Sequence, residues 1–161
     1  MTLAVRPYAP GDEAPLCDVL NAIIAAGGTT AHETPFTPER LVPHALTGAR
    51  VQCCHVVLEN GVPAGFQSVT LNPALPEGWG DMSSFTRREP PVPGAGRALF
   101  AATLARARAM GLVALNATIR ADNVPGLGYY AAMGFQDYDV SRAVPLGDGR
   151  PVDRLHKQLI L

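Results

Sequence analysis

A glycine-rich turn before an alanine-rich stretch constrains the fold of this chain most. Residues 92–97 read Val-Pro-Gly-Ala-Gly-Arg, and Phe100, Leu104 and Ala107 follow at helical spacing. Gly111 then ends the helix, because glycine tolerates the left-handed conformation in which helices commonly end. The pattern predicts a turn that leads directly into a helix whose first backbone N–H groups can bind an anion.

The remaining signals alternate between strands and helices in the order βααβββαβαββ. Strands are expected over residues 3–6, 51–58, 62–71, 79–86, 112–119, 135–140 and 154–161, and helices after Asp12 as N-cap, after Thr37, over 94–110 and over 124–133. Asn60-Gly61 predicts a tight hairpin between the second and third strands. This order indicates an α+β fold, with helices on both faces of a sheet.

Length, charge and cysteine use exclude several classes of protein. The 161 residues predict one domain over 1–161, and 47% hydrophobic with 17% charged residues is typical of a globular chain. A formal net charge of −1 argues against a general attraction to nucleic acid or to an anionic membrane. The three cysteines form no disulfide framework and no metal-binding spacing, and no signal peptide or long apolar run is recognised, so we expect a metal-free cytoplasmic protein.

The glycine turn by itself is ambiguous. Gly94 and Gly96 leave room for a pyrophosphate group near the backbone, and Gly96 is expected to adopt a conformation that a side chain would forbid. Equally, a Gly-x-Gly before a helix is often only a tight turn. Leu99 replaces the third glycine of a dinucleotide fingerprint, and no Gly-Lys-Ser/Thr follows, so neither a dinucleotide site nor a nucleotide P-loop is indicated.

Two segments in register resemble a known family. Residues 91–96, Pro-Val-Pro-Gly-Ala-Gly, resemble the Q/R-x-x-G-x-G/A loop of the GNAT superfamily of acyl-CoA-dependent N-acyltransferases. Residues 123–135, Asn-x-x-Gly-x-x-Tyr-Tyr-x-x-x-Gly-Phe, resemble that family's N-x-x-A-x-x-[LF]-Y-x-x-x-G-F segment. The resemblance implies a mixed, mostly antiparallel sheet of six to seven strands with splayed central strands. The resemblance also implies a homodimer, which is common in that family.

The resemblance also implies roles for particular residues. The backbone N–H groups of the loop would bind the pyrophosphate of acetyl-CoA, the strand end would pair with its pantetheine arm, and Asn123 would contact that arm as well. Tyr130 would protonate the departing thiolate. The implied cofactor-binding residues are Phe85, Thr86, Gly94, Ala95, Gly96, Arg97 and Asn123.

Alternative interpretations stand beside these roles. Asn123 is equally a helix N-cap by residue type, Tyr129 is expected to be a core residue, and Tyr130 could serve packing alone. Pro91 replaces the usual Arg or Gln, and neither Pro91 nor Pro93 has an N–H group. Weakened binding of acetyl-CoA is therefore expected, and a CoA-sensing module without catalysis is the alternative to an enzyme.

The base that deprotonates the acceptor amine is less clear than the acid. Candidates are Glu33, Asp81, His32, Ser84 and His55. Glu33 falls in a segment that loosely resembles the phosphinothricin-acetyltransferase-like branch, through Thr30, Ala31, Glu33, Pro35, Thr37 and Glu39. Asp81 begins the expected central strand. The sequence therefore predicts direct transfer of an acetyl group to a small amine, such as an amino acid or its analogue.

Overall fold

A single seven-stranded sheet forms the centre of the protein, whose computed structural model describes residues 2–161. The strands are β1 Leu3–Pro7, β2 Val51–Glu59, β3 Val62–Thr70, β4 Trp79–Thr86, β5 Ala114–Arg120, β6 Gln136–Pro145 and β7 Pro151–Ile160. Their spatial order is β1-β2-β3-β4-β5-β7-β6. Among these strands of the described chain, only the β4–β5 pair is parallel, so the expected mixed, mostly antiparallel sheet is confirmed.

Within the described residues, four helices accompany the sheet in the predicted order. They are α1 Glu13–Ala26, α2 Pro38–Leu41, α3 Ala95–Ala109 and α4 Val124–Ala132, and a π-helical turn over Val42–Leu46 continues α2. Thr37 caps α2 by accepting a hydrogen bond from the Arg40 N–H at 3.2 Å, with Pro38 in the first turn. The alternation of strands and helices read from the sequence is confirmed.

Residue alternation along the strands divides the core between two layers. Val56 packs with α1 and α2 on one face of the sheet, while its neighbour Val57 packs beneath α3 on the other. Phe66 is fully buried in the first layer. Because successive strand residues point to opposite faces, one sequence segment supplies both layers, and helices cover both sides as expected.

The hairpin between β2 and β3 follows directly from its two turn residues. Asn60 and Gly61 have φ angles of 50° and 83°, and Glu59 pairs with Val62. Two successive residues with positive φ form the type I′ turn, whose twist matches that of the flanking strands. The local sequence signal at this position was therefore sufficient.

Two local expectations need correction. Asp12 is the N-cap residue of α1 as expected, but its side chain makes no capping bond, because its carboxylate accepts two hydrogen bonds from Arg6, at 2.7 and 2.9 Å, and one from the Ala9 N–H. β6 extends beyond its predicted end at Val140 to Pro145, because pairing with the start of β7 carries it past a bulge near Ala143, where φ is 50°. Asp12 is engaged by two residues shortly before it in the chain, whereas the extension of β6 depends on pairing with β7.

Candidate active site

The parallel strands β4 and β5 separate soon after they meet. Their pairing covers only Trp79 to Asp81 on β4 and Ala114 to Asn116 on β5. From Met82 onward β4 keeps β3 as its partner, whereas β5 continues beside β7. The free edge of β4 therefore faces an opening in the sheet. This opening is the separation of the central strands that the family resemblance implied.

A cavity of about 460 Å³ occupies this opening. The end of β4, the glycine turn, the start of α4 and the segment after α1 all contribute to its wall. Of the sequence-predicted residues, the cavity brings together Phe85, Thr86, Gly96, Asn123 and Tyr130. Gly94, Ala95, Arg97, Asp81 and Glu33 do not line it.

The glycine turn presents fewer free donors than its sequence implied. Gly94 has φ of 81° and is the N-cap of α3, so the left-handed conformation belongs to this residue. The N–H group of Ala95 donates to the Val92 carbonyl at 3.1 Å, so in the free protein this donor is already used within the turn. The N–H groups of Gly96 and Arg97 lie in the first turn of α3, where helices leave donors without internal partners.

Gly96 is required for a reason other than its backbone angle. A Cβ atom at this position would lie 2.7 Å from Cε1 of Tyr129. The Tyr129 hydroxyl donates to the Gly96 carbonyl at 2.8 Å and accepts from Nε2 of the fully buried Gln67 at 2.9 Å. Tyr129 thus fixes α4 against the start of α3, and the expectation of φ/ψ freedom at Gly96 was wrong.

Tyr130 is 7% exposed and lines the cavity from α4. Its ring contacts the rings of Tyr129 and Phe135, with centroids 5.1 and 5.2 Å away. Burial raises the pKa of the Tyr130 phenol, and interactions with Tyr129 and with the Asp81 carboxylate raise it further. The phenol therefore stays protonated in the free protein.

Asn123 caps α4 while it lines the cavity. Its side-chain oxygen accepts a hydrogen bond from the Gly126 N–H at 3.0 Å, so the capping interpretation is confirmed. A Cβ atom on residue 126 would lie 2.4 Å from Nδ2 of Asn123. The glycine at this position, where the related motif has alanine, lets the asparagine side chain fold back over the first turn.

Asp81 lies at the vertex of the opening, in the last residue pair shared by β4 and β5. One carboxylate oxygen accepts from Nδ2 of Asn116 at 2.9 Å, and the other accepts from Nδ2 of Asn72 at 3.1 Å. The Tyr138 hydroxyl in turn donates to Oδ1 of Asn116. Two neutral amides orient this carboxylate, and neither supplies a positive charge to balance it.

The other candidate bases lie elsewhere. Glu33 accepts two hydrogen bonds from the Gly147 N–H and lines a second cavity of about 220 Å³ together with His32. His55 is buried on β2 and lines neither cavity. Ser84 lines the main cavity, and its hydroxyl accepts from Gln67. Among these candidates, the structure places only Asp81 at the vertex and only Ser84 on the main cavity wall.

Comparison with known protein families identifies the family of this chain. The profile of the acetyltransferase (GNAT) family matches residues 29–135. The chain belongs to the GNAT family. Members are acyl-CoA-dependent acetyltransferases, so the enzyme class expected from the sequence is confirmed. A search of curated proteins found no match.

Solved structures share the GNAT fold over nearly the whole chain. A GNAT superfamily phosphinothricin acetyltransferase from Sinorhizobium meliloti in complex with AcCoA is 20% identical, with a TM-score of 0.85 and coverage of 100% of this chain and 89% of that one. An N-acetyltransferase from Staphylococcus aureus Mu50 is 17% identical, with a TM-score of 0.85 and 99% coverage of both chains. A ribosomal-protein-alanine N-acetyltransferase from Brucella melitensis is 22% identical, with a TM-score of 0.81 and coverage of 98% and 99%.

Sequence reasoning missed several residues of this GNAT site. Asn72, Asn116 and Tyr138 surround Asp81 from three separate segments, and no spacing rule links them. Arg88 is exposed on the wall of the main cavity, and the family motif does not include it because the motif begins at Pro91. A basic residue at the end of the expected central strand was the only available signal.

The described part of the chain lacks two further features. No helix within residues 2–161 is long and apolar enough to cross a membrane. Over the same residues, no group of three or more His, Cys, Asp or Glu side chains could hold a metal ion.

Proposed function

We propose that this GNAT protein transfers the acetyl group of acetyl-CoA directly to the amine of a small molecule, an amino acid or an amino-acid analogue. The observation that carries the proposal is the opening between β4 and β5, with Tyr130 on its wall and Asp81 at its vertex. The family membership supports acetyl-CoA as co-substrate. The loose resemblance around Glu33, together with the neighbours' fold, supports the phosphinothricin-acetyltransferase-like branch.

The binding of acetyl-CoA follows from the unpaired groups around the cavity. The pantetheine arm would lie along the free edge of β4 at Phe85 and Thr86, where backbone groups lack a strand partner on the β5 side. The pyrophosphate would lie at the first turn of α3, near the N–H groups of Gly94, Gly96 and Arg97. Asn123 would reach the arm from the start of α4. This arrangement points the thioester toward the vertex.

Asp81 is the base in this proposal. A substrate amine arrives as an ammonium ion and must lose a proton before its nitrogen can attack. The Asp81 carboxylate carries an unbalanced negative charge between Asn72 and Asn116, so it can attract the ammonium and accept that proton. Glu33 is not placed at this opening, because its carboxylate is bound to the Gly147 N–H.

Tyr130 is the acid in this proposal. The nitrogen attacks the thioester carbon, a backbone N–H at the strand opening stabilises the oxyanion, and the C–S bond then breaks. The thiolate takes the Tyr130 proton, which solvent restores. The nitrogen loses its second proton to solvent, and Asp81 releases the proton it accepted, so that one proton is released per turnover. Burial disfavours the Tyr130 phenolate and would disfavour the CoA thiolate in the same way. The raised pKa of Tyr130 therefore does not by itself oppose proton transfer from the phenol to the thiolate.

Thiol release from acetyl-CoA in the presence of individual amino acids tests the activity. Tyr130→Phe is expected to lower kcat by about 10²–10⁴-fold, because it removes one acid–base group, while leaving the Kd for acetyl-CoA unchanged. Gly128→Ala serves as the matched control on the same helix, because nothing lies within 4 Å of the added methyl group. Full activity of the Tyr130→Phe variant would remove the acid role.

A CoA-binding module without turnover is the second candidate function. The loop favours it, because Pro91 and Pro93 have no N–H group and Ala95 uses its own on Val92. Thermal stability measured with and without millimolar acetyl-CoA separates the outcomes. A raised melting temperature without thiol release favours the module, and no shift at all contradicts both functions.

The proposal also covers the cellular compartment and the oligomeric state of the enzyme. The cysteines Cys17, Cys53 and Cys54 are all free, which fits a reducing cytoplasm. A homodimer rests on the family resemblance alone. Light scattering after size-exclusion chromatography measures the mass directly, and a monomer at assay concentration would contradict the dimer.

A further inference from the structure

The glycine turn lacks a basic side chain at position 91, where related loops carry one, although Arg97 follows at its helical end. Pro91 stands where related loops carry Arg or Gln, and Pro93 offers no N–H group. The Ala95 N–H group is used within the turn. A pyrophosphate at the start of α3 would therefore meet few donors on the proline side of the loop, where a cation from another segment would strengthen binding.

Two arginines at the end of β4 line the same cavity, and they differ in availability. Arg87 donates from Nε to the Pro90 carbonyl at 2.9 Å and pairs with the Glu59 carboxylate at 2.5 Å. Its charge is thereby balanced on the side of β2. The Arg88 side chain is exposed, and within residues 2–161 it makes no hydrogen bond or ion pair. Arg88 is thus the free cation of this wall.

The backbone holds Arg88 opposite the turn. An isolated antiparallel bridge joins Arg88 to Pro91, so the strand end and the proline segment lie side by side. Pro91, Pro93 and Gly96 share the cavity wall with Arg88. Arg88 can therefore substitute, within the same cavity, for the basic side chain that is missing at position 91.

We propose that Arg88 binds the pyrophosphate of acetyl-CoA and replaces the basic side chain that Pro91 removes from the loop. The inference rests on the proposed function, since it presumes that acetyl-CoA binds in this cavity. A guanidinium forms charge-assisted hydrogen bonds with phosphate oxygens in a planar, two-pronged geometry that lysine cannot reproduce. Because Arg88 is exposed, we expect a contribution of roughly tenfold in affinity, at the low end for such bonds.

Isothermal titration calorimetry with three ligands tests this role. Arg88→Ala is expected to raise the Kd for acetyl-CoA and for acetyl-3′-dephospho-CoA by about tenfold each, and to leave the Kd for S-acetyl-pantetheine, which has no phosphate, unchanged. Arg88→Lys is expected to recover part of the loss. Arg108→Ala, an exposed arginine near the far end of α3, is the charge-matched control and is expected to bind like the wild type.

Each contrary outcome has a distinct meaning. Unchanged acetyl-CoA affinity of Arg88→Ala, with a wild type that binds, overturns the arginine alone. A loss seen with acetyl-CoA but not with the 3′-dephospho ligand overturns the pyrophosphate assignment and places Arg88 at the 3′-phosphate. A wild type that binds none of the three ligands overturns the proposed function together with this inference.

Discussion

Adding one methyl group at Gly96 is expected to destabilise the protein, against the usual effect of such a change in a helix. Gly→Ala inside a helix stabilises by up to about 1 kcal/mol. Here the new Cβ would lie 2.7 Å from Cε1 of Tyr129, so the ring must move by several tenths of an ångström. That movement strains the bonds of the Tyr129 hydroxyl to Gly96 and to the buried Gln67.

The magnitude follows from the opposing terms. Overpacking costs about 1–3 kcal/mol, and each weakened hydrogen bond costs about 1 kcal/mol. With both Tyr129 bonds weakened, subtracting the helix-propensity gain leaves a net loss of about 2–4 kcal/mol in the free energy of unfolding for Gly96→Ala. Urea denaturation followed by circular dichroism measures it. Gly128→Ala on α4 is the control with the opposite sign, because open space surrounds that position.

A double-mutant cycle isolates the cause of the loss. Tyr129→Ala removes the ring that the new methyl group would strike, so Gly96→Ala in that background is expected to be neutral or slightly stabilising. An equal cost in both backgrounds would refute the steric explanation. It would instead indicate that residue 96 needs glycine for its own backbone.

Two further predictions concern the base and the histidines. Asp81→Asn is expected to lower kcat/KM for amine acceptors at least tenfold with acetyl-CoA binding retained. Glu33→Gln is expected to keep thiol release near wild-type rates. The reverse pattern would assign the role of the base to Glu33. Burial, with the nearby charge of His32, lowers the pKa of His44 to about 4, so the unfolded chain binds this proton more readily. Stability is therefore expected to be full above about pH 6.5 and to fall toward pH 4, and urea midpoints at pH 7.5 and 5 should differ less in His44→Gln than in the wild type.

Local sequence patterns were sufficient where structure depends on neighbouring residues. The hairpin at Asn60-Gly61 needs only two residues that tolerate positive φ, and the helix after Gly94 needs only helical apolar spacing and a glycine at each end. The register of residues 123 to 135 against the family motif then indicated the enzyme family, which the family match over residues 29–135 confirms.

Contacts between distant segments could not be obtained in this way. Tyr129 reaches Gly96 across 33 positions, and Asn116 reaches Asp81 across 35. No periodicity encodes such pairs, because their distances depend on how the helices and strands pack. The bond from the Ala95 N–H group to the Val92 carbonyl is local, but it depends on the conformation of the proline turn, which the residue types alone did not specify.

Local residue patterns specify the order of helices and strands, the hairpin, the glycine turn before α3 and the family. Which candidate residues meet depends on how the sheet and its helices pack. This packing places Asp81 at the vertex and Glu33 beside Gly147, and it sets Arg88 opposite the prolines of the turn. The physical reason is that backbone conformation is encoded locally, whereas an active site is assembled from side chains whose proximity exists only after the sheet and its helices have packed.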